Sequence, residues 1–274
     1  MATATPLYCL PAETTTIRDL DVAYRRKGSG APLLYLHGAE LTRRWLPLYD
    51  RLAETFDVLV PNHPGFGETA RPAWLKDFSD LVLHYRDLLD AFRFERVHLV
   101  GHALGGWIAA EFAGVYPERV ASLTLIAPTG LRPVPADGEI VDGFRLEPEQ
   151  RLSVLLGDDA PRWADAFADD DPVESAVRDY NESITEAVLA WNPRYSIKLE
   201  RRLARVTAPA QVLLPQRDLL VPASTGPKYA DLLPGARLVT VDGQAAQTGH
   251  LLVLQEPKQV AALIAELADR GASR

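Results

Sequence analysis

The chain has 274 residues, of which 47% are hydrophobic and 24% charged, and its formal net charge is −8. This length fits one large α/β domain with an insertion, or two small domains, and the composition is ordinary for a globular enzyme. The negative charge argues against nucleic acid as the main partner. No apolar run approaches the roughly 18 residues that a membrane span needs.

The N-terminal segment and the cysteine content bear on localisation. The Met1–Pro6 segment has no basic stretch followed by an apolar core, so we expect no signal peptide. Cys9 is the only cysteine, which excludes an internal disulfide and is compatible with a reducing cytoplasm. We therefore expect a cytoplasmic monomer or homodimer whose partner is a small molecule, with no nucleic acid and no membrane span.

Apolar runs alternate with helical patterns as far as Leu131. Strands are predicted at Leu20–Arg25 (an edge strand), Pro32–Leu36, Phe56–Pro61, Val97–Val100 and Ser122–Ala127. Helices are predicted at Trp45–Ala53, Asp77–Phe92 and Gly106–Ala113. Short apolar runs separated by helices indicate parallel strands in a doubly wound sheet.

The strand pattern stops between residues 132 and 200, where 16 acidic residues stand against seven basic ones. Helical patterns at Asp165–Phe167 and Val173–Leu189 predict a helical lid over residues 132–200, inserted into an α/β core of residues 1–131 and 201–274. The alternation then resumes. We predict strands at Gln211–Pro215 and Ala236–Val241, helices at Gly226–Leu233 and Pro257–Ala268, and a frayed tail at Gly271–Arg274.

The segment Gly101–Gly105 lies between a predicted strand and a predicted helix. A sharp strand-turn-helix of this kind holds one side chain at the top of the sheet, and glycines on either side allow backbones to approach closely. In the pattern G-x-S-x-G that side chain is a nucleophilic serine. Here the position is Ala103, whose methyl group cannot attack a substrate.

Four stretches, in this order and at these spacings, resemble lid-bearing α/β-hydrolases over roughly Leu20 to Leu267. They are His37–Glu40, Asn62–Thr69, Gly101–Gly106, and Gln216–Pro222 followed by Gly249–His250. The resemblance implies an α/β-hydrolase fold with a mostly parallel, doubly wound sheet and an inserted helical lid. The family's order of nucleophile, acid and histidine then places Ala103, Asp218 and His250 in those three positions.

The resemblance also implies the chemistry of these positions. An imidazole with a pKa near 6.5 can accept a serine proton and return it to a leaving group, while Asp218 fixes the tautomer of His250. The family's oxyanion donors are backbone amides, which assigns Leu104 and Ala39, with Glu40 as the alternative to Ala39. His37 is predicted to pack beneath the oxyanion loop, and His102 to point away from residue 103.

No histidine shows metal-ligand spacing and no dinucleotide-binding motif is present, so we expect neither a metal nor a cofactor. The predicted substrate-binding residues lie around the elbow and in the lid. They are Glu40, Trp107, Phe144, Trp163, Trp191 and Tyr195. The alternative for the aromatic members of this set is ordinary packing of the lid on the core.

The favoured reaction is hydrolysis of a medium-sized, mostly apolar carboxylic ester or lactone through an acyl-enzyme. The second possibility is C–C bond hydrolysis of a vinylogous diketone, which similar proteins perform on this scaffold. Those proteins commonly have a glycine-rich run after the His-Gly pair, where this chain has Ala39-Glu40. Relatives with aspartate at the elbow are a further possibility, although the residues around Ala103 resemble the serine branch more closely.

Three interpretations of Ala103 remain open. Alanine replaces the serine of an active enzyme as a deliberate substitution, which leaves the chain essentially inactive. Alternatively, the chain is a natural non-catalytic member that binds a small apolar ligand. In the third interpretation, His250 alone acts as a base, in a lyase or a cofactor-free oxygenation.

Overall fold

Residues 10–163, 167 and 171–272 are described in a computed structural model of the chain. Eight strands form one sheet in the order β1-β2-β4-β3-β5-β6-β7-β8. The strands are β1 Glu13–Ile17, β2 Leu20–Lys27, β3 Ala31–Leu36, β4 Phe56–Pro61, β5 Val97–His102, β6 Val120–Ile126, β7 Ala210–Pro215 and β8 Arg237–Val241. The β1–β2 and β2–β4 pairs are antiparallel and the other five pairs are parallel, which confirms the predicted fold class.

The prediction that Leu20–Arg25 forms an edge strand is wrong. This segment belongs to β2, which lies between β1 and β4, and β1 is the true edge. The strand β1 has little signal in its residues, because Glu13–Ile17 contains three consecutive threonines and only Ile17 is buried. A strand at a solvated edge needs no apolar alternation to be held in place by its single neighbour.

Ten α-helices accompany the sheet in the described residues. They are α1 Pro47–Ala53, α2 Phe78–Ala91, α3 Leu104–Val115, α4 Pro148–Leu156, α5 Ala160–Trp163, α6 Pro172–Ala190, α7 Leu199–Leu203, α8 Thr225–Leu232, α9 Leu252–Gln255 and α10 Pro257–Ala272. None of the described helices is both long enough and apolar enough to cross a membrane. The helices at Trp45–Ala53, Asp77–Phe92, Val173–Leu189, Gly226–Leu233 and Pro257–Ala268 occur where they were predicted, within a few residues.

Successive residues of β3 point to opposite faces of the sheet, and a separate hydrophobic cluster covers each face. Leu34 and Leu36 pack with residues of α2, α3 and α8. Leu33 and Tyr35 pack with residues of α1, α9 and α10. The period of two in the strand therefore places the sheet between two helical layers.

Two predictions concern residues that border on, or lie outside, the described ranges. The helical pattern at Asp165–Phe167 falls mostly on residues 164–166, which lie outside the described residues, as does Cys9. The prediction of a frayed tail is wrong for Gly271 and Ala272, which continue α10. Residues 273 and 274 lie outside the described residues.

Between β6 and β7 the described chain contributes helices and no strand of the sheet. In this segment, α6 is joined to the loops at the carboxyl edge by polar side chains. The Glu182 Oε1 atom accepts hydrogen bonds from Thr42 Oγ1 and from the Gly67 amide, each at 2.8 Å. Thr185 Oγ1 donates to the Gly65 carbonyl oxygen at 3.2 Å. The middle of α6 is thereby held over the end of the sheet.

Candidate active site

The turn at residue 103 joins the last residue of β5 to the first residue of α3. Ala103 has φ 51° and ψ −114°, a conformation that non-glycine residues rarely adopt. Its amide donates to the Ile126 carbonyl oxygen at 3.0 Å, and its own carbonyl oxygen accepts from Trp107 and Thr129 at 3.1 and 3.2 Å. These bonds hold a strained residue at the carboxyl edge of the sheet, where strain of this kind accompanies functional positions.

Close backbone approaches explain why glycines flank the turn. A Cβ atom on Gly105 would lie 2.1 Å from the Leu36 carbonyl oxygen, so α3 could not meet β3 with any larger residue there. A Cβ atom on Gly38 would lie 3.3 Å from the Ala103 Cβ atom and 2.8 Å from His102 Nδ1. The loop after β3 is therefore packed directly against the elbow.

Asp218 and His250 are brought together from the loops that follow β7 and β8. The His250 Nδ1 and Asp218 Oδ2 atoms are 2.9 Å apart. The other Asp218 oxygen accepts the amides of Leu220 and Val221, both at 2.9 Å, so the carboxylate is oriented by three bonds. His250 is fully buried, and its Nε2 atom has no hydrogen-bond partner in the described part of the chain.

The electrostatics of this pair favour ionised Asp218 and a basic His250. Burial opposes ionisation of Asp218, but the His250 ring and the two backbone amides hold the pKa of Asp218 below its ordinary value. Burial would likewise lower the pKa of His250, yet the adjacent Asp218 carboxylate outweighs it and raises that pKa above 6.5. Glu40 contributes to this increase.

Three further histidines, His102, His37 and His63, lie in and around the elbow and the neighbouring loops. The His102 Nε2 atom donates to the His250 carbonyl oxygen at 2.9 Å, and burial lowers the pKa of His102 to about 3. His37 contacts the Gly38 carbonyl oxygen through Nδ1 at 2.8 Å and lies 3.8 Å from the His63 ring, centroid to centroid. Burial lowers the pKa of His37 to about 4, so this ring is neutral at physiological pH.

A small cavity of about 50 Å³ adjoins residue 103. Its walls include both residues predicted to donate to an oxyanion, together with Glu40 and Trp107. The full set is Ala39, Glu40, Ala103, Leu104, Trp107, Thr129, Ile140, Glu186, Ala190, Arg194 and Leu220. Because Leu104 opens α3, its amide belongs to a helix N-terminus, where backbone N–H groups have no partner within the helix.

Four of the predicted substrate-binding residues do not line this cavity. Trp163 is buried in the cluster on the α10 side of the sheet, and its Nε1 atom donates to Asp159 at 2.9 Å. Phe144 packs on Trp191 with ring centroids 5.2 Å apart, and Trp191 is exposed. Tyr195 lies under the Arg132 guanidinium. The alternative of packing on the core describes Trp163, whereas Phe144, Trp191 and Tyr195 contact other residues of the 132–200 segment.

The sequence analysis missed two charged residues of the cavity wall, Glu186 and Arg194. The available signal was the spacing of Glu182, Thr185 and Glu186, which places three polar side chains on one face of α6. In the described part of the chain, no group of three or more His, Cys, Asp or Glu residues could hold a metal ion.

The chain belongs to the alpha/beta hydrolase fold family, whose family model matches residues 31–257. This result agrees with the strand order and with the strand-turn-helix at Ala103. The membership is therefore shown both by the sequence and by the topology.

Relatives in this family carry different hydrolase names. A protein of Azorhizobium caulinodans named carbamate hydrolase RutD is 29% identical over 243 residues, covering 82% of this chain and 87% of the relative. The 2-hydroxy-6-oxononadienedioate/2-hydroxy-6-oxononatrienedioate hydrolase of Paraburkholderia phymatum is 29% identical over 236 residues, covering 80% and 82%. Such similarity establishes a hydrolase scaffold. It does not determine which kind of bond this chain cleaves.

The fold is also shared with solved structures. A mutant of the meta-cleavage product hydrolase CumD from Pseudomonas fluorescens IP01, complexed with acetates, superimposes with a TM-score of 0.75. The match covers 94% of this chain and 97% of that one, at 20% identity. Identity at this level shows the common fold alone.

Proposed function

We propose that the chain has the active site of a carboxylic ester or lactone hydrolase in which Ala103 occupies the position of the serine nucleophile. With alanine there, the chain binds its substrate but forms no acyl-enzyme. The observation that carries this proposal is the backbone of Ala103, with φ 51° at the junction of β5 and α3. Alanine gains nothing from that strained conformation, whereas a serine would present its hydroxyl at the tip of the turn.

The arrangement supports the following reaction once a hydroxyl is present at position 103. The hydroxyl oxygen attacks the substrate's acyl carbon while the unpartnered Nε2 atom of His250 accepts its proton. The Asp218 carboxylate stabilises the imidazolium that forms. The amides of Ala39 and Leu104 donate to the oxyanion. The tetrahedral intermediate then collapses: the bond between the acyl carbon and the alkoxy oxygen breaks, and His250 gives its proton to that oxygen, which leaves as the alcohol.

A second half-reaction releases the acid. Water enters where the alcohol left, His250 removes a proton from it, and the resulting hydroxide attacks the acyl carbon. Collapse of the second tetrahedral intermediate breaks the bond to the residue-103 oxygen, which recovers the proton from His250. With Ala103, neither half-reaction has a nucleophile on the protein, and an intact ester remains bound. Loss of a triad nucleophile lowers turnover by about a million-fold.

The size of the cavity limits the part of the substrate that lies beside residue 103. A volume of about 50 Å³ accommodates a group of a few non-hydrogen atoms, whereas ligand sites for drug-sized molecules enclose about 300–1,000 Å³. The remainder of a medium-sized ester would need the segment around α6 to move. We therefore propose a substrate with a small group on one side of its carbonyl.

A C–C bond hydrolase is the second candidate, and the name of the Paraburkholderia phymatum relative is the observation that favours it. In that reaction the same elbow and His250 would act on a vinylogous diketone. The Ala39-Glu40 sequence after Gly38, where similar C–C hydrolases commonly have a glycine-rich run, supports the ester instead. The two candidate reactions can be distinguished by testing an ester and a vinylogous diketone as substrates side by side.

The decisive experiment is Ala103→Ser, assayed beside the unchanged chain against p-nitrophenyl acyl esters, lactones and a vinylogous diketone. We expect ester hydrolysis to increase by about 10³- to 10⁶-fold, and His250→Ala in the Ala103→Ser chain to abolish the gain. Ala190→Ser is the matched control, because it places a hydroxyl in the same cavity away from the elbow.

Each other outcome favours a different interpretation. Activity on the diketone alone would replace ester hydrolysis with C–C bond cleavage. No gain on any substrate would contradict the proposal and leave a ligand-binding protein or a reaction led by His250. An equal gain in Ala190→Ser would show that the hydroxyl acts without the elbow, and would also contradict the proposal.

A further inference from the structure

Two carboxyl groups face the cavity beside residue 103. Glu40 comes from the loop after β3 and Glu186 from α6. Within the described residues, neither carboxyl group has a hydrogen-bond or ion-pair partner. Glu186 as a residue is half-buried, but its carboxyl group is surrounded by protein. Buried carboxylates in folded proteins are normally paired, so the Glu186 carboxyl group is unusual, and the half-buried Glu40 places a second unpaired carboxyl group on the same cavity.

The surroundings of Glu186 make its ionised form costly. Burial, together with repulsion from Glu40 and Glu182, raises the pKa of Glu186 to about 7. Arg151 and Arg194 act in the opposite direction and do not compensate. A ligand that brought a positive charge next to Glu186 would favour its ionised form, and by linkage the ionised form would favour that ligand.

The one basic residue of the cavity wall is already neutralised. Arg194 Nη2 lies 2.8 Å from Asp142 Oδ2 in an ion pair, and its Nη1 atom is 3.5 Å from the Ile140 carbonyl oxygen. Arg194 still faces the cavity, but its guanidinium is engaged by Asp142, so the carboxyl groups of Glu40 and Glu186 are the unpaired charges of the wall.

The apolar side of the cavity offers no competing site for a cation. The Trp107 ring stacks on Phe78 with centroids 3.8 Å apart, and Gly130 lies so close that a Cβ atom there would be 2.3 Å from Trp107 Cγ. The indole is therefore buried and already stacked on Phe78, and it forms an apolar part of the wall. Ala190 and Leu220 are further apolar residues of the cavity wall.

We propose that the cavity binds a small cationic group of the ligand, an ammonium or amidinium centre, between the carboxyl groups of Glu40 and Glu186. The proposal rests on the proposed function in one respect, the placement of the substrate carbonyl beside residue 103. It narrows the substrate to an ester or lactone that carries a basic nitrogen. A neutral or anionic group of the same size would leave the two carboxyl groups without partners.

The test is direct binding of small probes to the unchanged chain. Propylammonium, 1-propanol and propionate are similar in size and differ in charge, and their affinities can be compared at pH 8 by calorimetry or by NMR titration. We expect propylammonium to bind at least tenfold more tightly than 1-propanol, and propionate to bind most weakly. Comparable affinity for 1-propanol, or a preference for propionate, would overturn the proposal.

Two substitutions assign the site. Glu186→Gln and Glu40→Gln keep the side-chain shape and are each expected to weaken propylammonium binding at least tenfold. Asp179→Asn is the matched control, because it removes a negative charge from an exposed position of α6 that does not line the cavity. Unchanged affinity in both glutamine variants, or an equal loss in Asp179→Asn, would contradict the assignment.

The pH dependence of binding supplies a measurement on the unchanged chain, should a variant fail to fold. Affinity for propylammonium is expected to rise about tenfold from pH 6 to pH 8, as Glu186 ionises, with release of a proton on binding. Asp218 raises the pKa of His250 above 6.5, and a protonated His250 would repel a cation. Burial also raises the pKa of Glu182 to about 7. The pH dependence that remains in Glu186→Gln therefore measures the contribution of these other groups. A flat affinity between pH 6 and pH 8 would overturn the proposal.

Failure here and failure of the proposed function are distinguishable. The binding experiment uses the chain with Ala103 and involves no acyl transfer. An inactive Ala103→Ser variant with intact propylammonium binding would overturn the hydrolase proposal alone. Recovered hydrolysis without any preference for cationic esters or probes would overturn the cation site alone.

Discussion

The His102 Nε2 atom lies 2.9 Å from the carbonyl oxygen of His250, and both rings are fully buried. Because burial keeps His102 neutral, with a pKa of about 3, its Nε2 atom can carry the proton that this bond requires. The elbow thus holds the backbone of the histidine loop, while Asp218 orients the ring of the same histidine. His102, the residue that precedes Ala103 in the chain, therefore connects the elbow to His250.

This bond makes His102 a positioning residue in the proposed reaction. In the Ala103→Ser chain we expect His102→Leu to lower kcat by about 10- to 100-fold with little change in KM, because the base loses one of its two anchors. His102→Gln keeps a neutral N–H donor and should recover part of the loss. The measurement is steady-state kinetics of the three chains on one ester.

The control for His102 is His84→Leu. His84 is buried on α2, packs near Trp74 and has an Nε2 atom without a partner in the described residues, so its loss breaks no bond to the site. We expect kcat to stay within about twofold of the parent. A similar kcat in His102→Leu, or no difference between His102→Leu and His102→Gln, would show that the bond does not position His250.

The Asp218–His250 pair predicts a specific change in pH profile. The base acts in its neutral form, and Asp218 holds the pKa of His250 above 6.5, so the acid limb of kcat/KM in the Ala103→Ser chain should lie above that value. In Asp218→Asn the raising charge is lost and burial lowers the pKa of His250, so the limb should move to lower pH.

The maximum rate of Asp218→Asn should also fall, by about 10⁴-fold, because the amide no longer stabilises the imidazolium. Profiles of kcat/KM between pH 5 and pH 9 measure both effects. An acid limb that stays in place would mean that Asp218 does not set the pKa of His250. An acid limb that moves to higher pH in Asp218→Asn would contradict the proposed charge interaction between Asp218 and His250.

The sequence alone predicted the sheet, the elbow and Glu40, but it did not predict that Glu186 and Arg194 line the cavity. Apolar runs such as Pro32–Leu36 are unambiguous, because a central strand is buried on both faces. The helix α6 violates the usual pattern. Val177 and Tyr180 are exposed while Glu182 and Thr185 are buried, so the rule that places apolar residues inward assigns the wrong face.

Contacts between site residues that are far apart in the chain could not be predicted from the sequence either. His102 and His250 are 148 positions apart in the chain, and their contact depends on how the loops after β5 and β8 meet. The order of motifs could place both residues at the carboxyl edge of the sheet. It could not predict which backbone atom the His102 ring would meet, because that follows from loop packing and not from periodicity.

Gly105 offers a stability test of the elbow. Gly105→Ala would place a methyl carbon 2.1 Å from the Leu36 carbonyl oxygen, a contact that only movement of α3 or β3 can relieve. We expect a loss of at least about 2 kcal/mol in the free energy of unfolding, measured by urea denaturation. Gly143→Ala is the control, since no atom beyond its immediate chain neighbours lies within 4 Å of its added methyl group, and it should change stability by less than about 0.5 kcal/mol. Equal stability of the two variants would show that β3 and α3 can separate enough to accommodate the methyl group at little cost in free energy.

Burial of the Glu182 carboxyl group, which also accepts hydrogen bonds from Thr42 and Gly67, makes the stability of the fold depend on pH. Burial raises the pKa of Glu182 to about 7, although these two donors and Arg178 favour the ionised form. A carboxyl whose pKa is higher in the folded chain than in the unfolded chain stabilises most below its unfolded value, near 4.5. That contribution is lost as the pH rises through 7.

Glu182→Gln should remove this dependence and keep both hydrogen bonds, because each donor binds the same oxygen, Oε1, which an amide can also supply. Relative to the parent, the variant is expected to gain about 1–3 kcal/mol between pH 5 and pH 8, as measured by urea denaturation at each pH. Glu54→Gln, at an exposed position after α1 that does not act on Glu182, should give a stability curve with the same pH dependence as the parent. If Glu182→Gln also runs parallel, then Glu182 is ionised in the folded chain throughout this range, and the bonds that hold α6 over the sheet are indifferent to pH.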